Sequence, residues 1–207
     1  MGGIRASLYN FGILFASLYP LFIVCFLVVA SIFNFKLNGI IYLGGIIATI
    51  GFCLLVGGLN LFPNRVLNGP ITCDLLSLTS TNYTGPNTQA AICWFTFAYL
   101  MWPMMPPAQS QGLVNPMILI FTLFGTIINS VFQYTRKCSD EVGIFMGIVI
   151  GLFFGTIWFW MWFAFNRKDL LFFNELVSSN AVCSRPNKQT FKCSVYKGGE
   201  LLSSTTL

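Results

Sequence analysis

Residues 142–165 read VGIFMGIVIGLFFGTIWFWMWFAF, and no charged side chain occurs among them. A helix crosses the hydrocarbon layer of a bilayer with about 20 mostly apolar residues, so this stretch reads first of all as a membrane span. Gly143, Gly147, Gly151 and Gly155 recur every four residues. On a helix that spacing lays them along one slowly drifting stripe. A stripe without side chains lets another backbone approach closely, which matters in lipid, where hydrophobicity alone does not drive helices together. The span ends in Trp158-Phe159-Trp160-Met161-Trp162-Phe163 and then Asn166-Arg167-Lys168. That is an interfacial aromatic belt with a basic anchor.

Working outward, four more apolar stretches precede it, at 11–33, 39–61, 90–105 and 114–134. The third is short and carries Trp94, Trp102 and Pro103. The expected fold is an all-α integral membrane protein: a bundle of about five transmembrane helices over 1–165, with a loop at 62–89. A basic C-terminal tail at 166–207 follows. Composition agrees. The 207 residues are 56% hydrophobic and 8% charged, against roughly 25% charged in soluble domains. The first span is too long for a cleavable signal peptide, and no small-x-small cleavage pattern follows it. The start MGGIRAS misses the myristoylation pattern at Ala6.

The second span repeats the small-residue theme at another period. Gly44, Gly51 and Gly58 are seven apart, supported by Gly45 and Gly57. All seven stripe glycines are read as helix-packing positions, with the second span or another copy of the fifth as the partner of the fifth. Gly125, in the fourth span, belongs to no such repeat.

Ionisable residues inside a membrane mark ion or substrate paths, and the five spans contain none. Their polar residues are mild: Ser17, Thr122, Thr126, Asn129 and Ser130, suited to bonding between helices. A coupled transporter or proton relay is disfavoured on that ground. The chain has no histidine, which excludes Ser-His triads and His metal sites. No catalytic, cofactor-binding or metal-ligating residue is assigned, and the chain is read as no enzyme. The stretch Pro106 to Gly112 loosely resembles a motif of membrane phosphatases of the phosphatidic acid phosphatase type. That family's chemistry rests on histidines, so the resemblance implies at most a shell without chemistry.

Positive charge near the membrane barely chooses an orientation. Lys36, Arg167 and Lys168 stand against Arg5, Arg65, Arg136 and Lys137. Asn82-Tyr83-Thr84 is a glycosylation sequon, and Cys73 and Cys93 bracket it. Both features suit an oxidising, lumenal loop, which places the C-terminus in the cytosol. The candidate disulfide cysteines are Cys73, Cys93, Cys183 and Cys193. Cys25 and Cys53 sit within spans as apolar filler. No CxxC pair is present, so a thioredoxin-like site or zinc knuckle is unsupported.

In the tail, Phe191-Lys192-Cys193-Ser194-Val195-Tyr196-Lys197 alternates apolar and polar, and Gly198-Gly199 follows. The pattern predicts a small β-hairpin. Arg185, Lys188, Lys192 and Lys197 make the tail basic and are its candidate contact residues, toward anionic headgroups or a partner. Four positives near Glu200 make too thin a footprint for nucleic acid.

The string CSRPNKQTFKCSVYKGGELL, with TRKCSDEVGIFMGIVIGLFFG and WFTFAYLMWPM upstream, resembles multispanning membrane proteins of nucleocytoplasmic large DNA viruses. The resemblance covers roughly the last 115 residues; its most specific part is Lys188 to Cys193. It implies no catalytic residue. It implies a setting, a viral internal membrane or the host endoplasmic reticulum from which that derives, with capsid proteins among the partners. The expected function is therefore structural or scaffolding, with the bilayer and other copies of the chain as further partners. The alternative is a channel or transporter built around the glycine stripes.

Overall fold

The computed structural model describes residues 8–59, 85–105, 116–167, 170–172, 192–197 and 200–206. Its elements are α1 (Leu8–Phe33), α2 (Asn38–Gly58), α3 (Thr88–Met101) with a 3-10 turn at Trp102–Met104, α4 (Pro116–Thr135), α5 (Glu141–Ala164), β1 (Lys192–Lys197) and β2 (Glu200–Thr206). The two strands pair antiparallel, with a register shift between Val195 and Tyr196. Helices α1, α2, α4 and α5 are long and apolar enough to cross a membrane, and the chain is a multi-pass helical membrane protein. α3 differs. Its 14 residues make about 21 Å of helix, less than the hydrocarbon thickness.

Successive helices alternate in direction. The α1–α2 turn is tied by Ser31, whose Oγ donates to Lys36 O at 2.6 Å and accepts from Gly39 N at 2.8 Å; Phe35 takes φ 51° there. From that turn α2 runs antiparallel to α3. Its Tyr42 meets Thr96 and Tyr99, and Gly57 at its far end lies beside Gly85, just before α3. α3 and α5 run parallel: Gly147 faces Asn87 and Ala90, Gly151 faces Ala91 and Trp94, and Gly155 faces Phe95 and Ala98. Asn87 N donates to Gly143 O at 2.9 Å, so both helices start at one level. Asn87 also caps α3, accepting from Ala90 N at 2.8 Å.

The bundle thus has two ends. One holds the α4–α5 turn and the start of α3. The other holds the α1–α2 turn, the 3-10 turn after α3, and a short return after α5. In that return Asn166 takes φ 55° and the chain folds back onto the bundle. Leu171 and Phe172 are buried, and Leu171 O accepts from Asn38 Nδ2 at 3.0 Å. Phe172 stands edge-on to Tyr42 and Tyr99.

α3 is the centre of the molecule, with ten of its 14 residues buried. The long helices surround it and turn Phe22, Phe26, Ile32, Phe33, Phe145 and Phe153 outward. That arrangement suits lipid, where apolar side chains lose nothing by facing out and polar ones must find partners inside.

Candidate functional site: the polar seam around the central helix

α4 carries Thr122, Thr126, Asn129 and Gln133 at spacings of 4, 3 and 4 residues. That is one face of a helix, and all four are buried. Thr122 and Thr126 bond back to carbonyls of their own helix, Thr122 Oγ1 to Ile118 O at 2.9 Å and Thr126 Oγ1 to Thr122 O. Gln133 reaches α3: its Nε2 donates to Gln89 Oε1 at 2.5 Å, and its Oε1 accepts from Asn87 Nδ2 at 3.4 Å. Ser130, on the flank, accepts from Trp94 Nε1 at 3.2 Å.

Asn129 does something more specific. Pro20 lies inside α1. A proline has no N–H, so the carbonyl four residues before it loses its helical partner. That carbonyl is Ala16 O, and Asn129 Nδ2 donates to it at 2.8 Å. The break in α1 is repaired from α4. One turn along, Tyr19 OH donates to Thr122 O at 3.2 Å, so α1 and α4 are bonded in both directions.

The other side of α3 carries a second polar group. Tyr42 OH and Thr96 Oγ1 are 2.6 Å apart, and Thr96 bonds back to Ile92 O. Trp158 Nε1 donates to Ile41 O at 3.1 Å, and Trp102 Nε1 to Thr156 Oγ1 at 3.0 Å. Among the described residues, four buried polar atoms have no protein partner: Asn38 Oδ1, Tyr99 OH, Asn129 Oδ1 and Trp162 Nε1. An open depression of about 400 Å³ at the α4–α5 turn is lined by Tyr134, Thr135, Lys137, Ser139, Asp140 and Glu141. Among the described residues no three His, Cys, Asp or Glu side chains are grouped to hold a metal.

The glycines divide sharply. A Cβ on Gly147 would lie 2.5 Å from Asn87 O, one on Gly155 2.6 Å from Phe95 O, and one on Gly151 would overlap Ala91 O. Gly143 would meet Gly85 O at 2.8 Å. The backbone against this face is that of α3 and the residues leading into it. It is neither the second span nor another copy. On α2, a Cβ at Gly51 or Gly58 meets nothing within 4 Å, and at Gly44 only Trp158 at 3.5 Å. Among the described residues, then, Gly51 and Gly58 are at no contact within the chain, and Gly44 is only in ordinary contact with the Trp158 ring. Gly45 is close-packed against Phe95 and Trp158, and Gly39 against Ser31 and Val28. Gly125, outside any repeat, is also tight, since a Cβ there would enter the Tyr19 ring.

The cysteine reading is corrected too. Cys93 is a free thiol buried in α3, and Cys25 and Cys53 are free as well. A residue enclosed at mid-helix cannot bridge to a loop. Cys138, in the α4–α5 turn, is disulfide-bonded. Cys73, Asn82, Cys183, Arg185, Lys188 and the Pro106–Gly112 stretch lie outside the described residues. Lys192, Cys193 and Lys197 fall on β1. The sequence reading missed Pro20, Gln89 and Gln133. The four polar positions of α4 on one face are the signal that finds the last of these.

Comparison with protein-family models, curated proteins and solved structures returns no match.

Proposed function

We propose that the chain is a structural component of its membrane, a self-contained bundle that displays a basic tail at one end. The observation that carries this reading is how the interior polar groups are used. Gln133, Gln89 and Asn87 bond to one another, Asn129 bonds to Ala16 O, and Trp94 bonds to Ser130. These bonds join α4 to α3 and α1 and so hold helices together. We take α3 as a fifth span. It lies beside α5 from Gly143 to Gly155, and its following turn puts Trp102 against Trp160, so helix and turn together match most of the crossing. The β1–β2 hairpin and the basic residues near it are the proposed contact with headgroups or a capsid-type partner. A viral internal membrane, or the endoplasmic reticulum that gives rise to it, is the proposed setting, on the strength of the resemblance in the tail.

A channel is the second reading, favoured by one observation: Asn129 Oδ1 is fully buried in the seam with no protein partner. Ion flux through liposomes holding the purified protein separates the two. The structural reading expects background flux. A reproducible current, lost in Asn129→Leu, would replace it with the channel. Mass spectrometry of purified virions, with co-purification of capsid proteins, tests the setting.

A further inference from the structure

Cys138 is disulfide-bonded, and its position on the bundle limits what it can pair with. The chain has seven cysteines. Cys25, Cys53 and Cys93 are free, which leaves Cys73, Cys183 and Cys193. Cys138 precedes α5, at the end where Asn87 bonds Gly143. Cys183 and Cys193 follow α5, which has 24 residues and is about 36 Å long. The chain after α5 is fastened at the opposite end, where Leu171 and Phe172 are buried and Leu171 O accepts from Asn38. A tail cysteine could reach Cys138 only by carrying unpaired backbone through the hydrocarbon layer, which costs several kcal/mol for each unsatisfied group.

Cys73 has no such barrier. The segment that carries it follows α2 and rejoins the described chain at Gly85. Gly57 and Gly85 are adjacent, and Gly85 lies against Gly143, so the loop begins and ends at the end that carries Cys138. Gly85 stands twelve positions after Cys73, a reach of up to about 40 Å.

We propose that Cys138 pairs with Cys73, tying the loop between α2 and α3 to the α4–α5 turn. This end of the bundle then faces an oxidising compartment. Two thiols lose two protons and two electrons as the S–S bond forms. The acceptor is the disulfide of a thiol–disulfide oxidoreductase, which leaves as the dithiol. The inference needs only that α5 crosses the membrane, and it stands or falls apart from the structural role and from the count of spans.

The test is peptide mapping of the full chain, expressed in microsomes, alkylated without reduction and digested. The expected result is a Cys73–Cys138 linked peptide, with Cys138 becoming alkylatable in Cys73→Ser and remaining protected in Cys183→Ser and Cys193→Ser. Cys138 alkylated in the unmodified chain, or linked to Cys183 or Cys193, overturns the pairing. A membrane-impermeant phosphine should cleave the link only after detergent opens the microsomes. Cleavage in sealed vesicles overturns the orientation.

Discussion

Asn129→Leu measured in two backgrounds, Pro20 and Pro20→Ala, tests whether α4 repairs α1. In the native chain the substitution removes the 2.8 Å bond to Ala16 O and leaves that carbonyl unpaired in a buried place, with Ala16 3% and Asn129 0% exposed. An unsatisfied buried group costs about 1–3 kcal/mol, and side-chain bonds between membrane helices are worth about 0.6–1.7 kcal/mol. Leucine also removes Asn129 Oδ1, which has no protein partner, so part of the loss is offset. A net destabilisation of about 1 kcal/mol is expected. With Pro20→Ala, residue 20 regains an N–H that can bond Ala16 O within α1. Asn129 Nδ2 then competes for an occupied acceptor, and Asn129→Leu should become neutral or stabilising. The coupling between the two changes is expected at about 1–2 kcal/mol. Reversible unfolding in mixed micelles, followed by tryptophan fluorescence, measures it. Equal costs of Asn129→Leu in both backgrounds would refute the repair.

The glycine face of α5 gives a paired comparison. Gly151→Ile must push Ala91 O and Trp94 aside and should destabilise the monomer by about 1–3 kcal/mol or more, whereas Gly51→Ile, with nothing within 4 Å, should unfold like the native chain; equal behaviour would show that α3 does not sit on this face. Gly125→Ala should also be costly, because its methyl enters the Tyr19 ring, and a native-like midpoint in the same unfolding assay would contradict the α1–α4 packing. Phe172→Ala should cost about 3–5 kcal/mol, as for a core aromatic, and should make the tail more sensitive to protease; an unchanged midpoint would mean that the return after α5 does not hold to Tyr42 and Tyr99. Trp162→Phe removes a buried donor that has no protein partner and should leave stability within about 0.5 kcal/mol or raise it; a large loss would mean that the indole N–H is bonded.

Much of the architecture is legible in the residues, and the missing parts have physical reasons. The four long helices announce themselves by apolar length. The four-residue glycine spacing of α5 marks a face of close approach. Periodicity says which residues of one helix share a face, but not which helix meets it. The partner is α3, the helix least conspicuous by hydropathy, because in lipid the usual rule is inverted. Thr88, Gln89 and Thr96 make α3 a poor lipid-facing helix and for the same reason a central one. The α2 glycines carry an equally regular spacing, yet a Cβ at Gly51 or Gly58 would meet nothing within 4 Å among the described residues, so regular spacing alone does not make a contact. Of the seam, Thr122, Thr126, Asn129 and Ser130 are visible as intramembrane polar residues. The role of Asn129 is invisible until Pro20 is seen to lie across from it. Cys93 reads as half of a loop disulfide on spacing, and burial in α3 removes it.

The enclosed position of α3 bears on how the chain enters its membrane. An insertion machine that tests each segment as it emerges weighs that segment's own partition into lipid, and α3 scores poorly by itself. The surface that makes it welcome is the Gly143–Gly155 face, and Gly151 is made about 60 residues after Ala91. The expectation is that α3 stays at the water–lipid boundary during synthesis and is seated only after α5 has arrived. A chain cut off before Glu141 should leave α3 open to protease on the membrane surface, and completing α5 should draw it in.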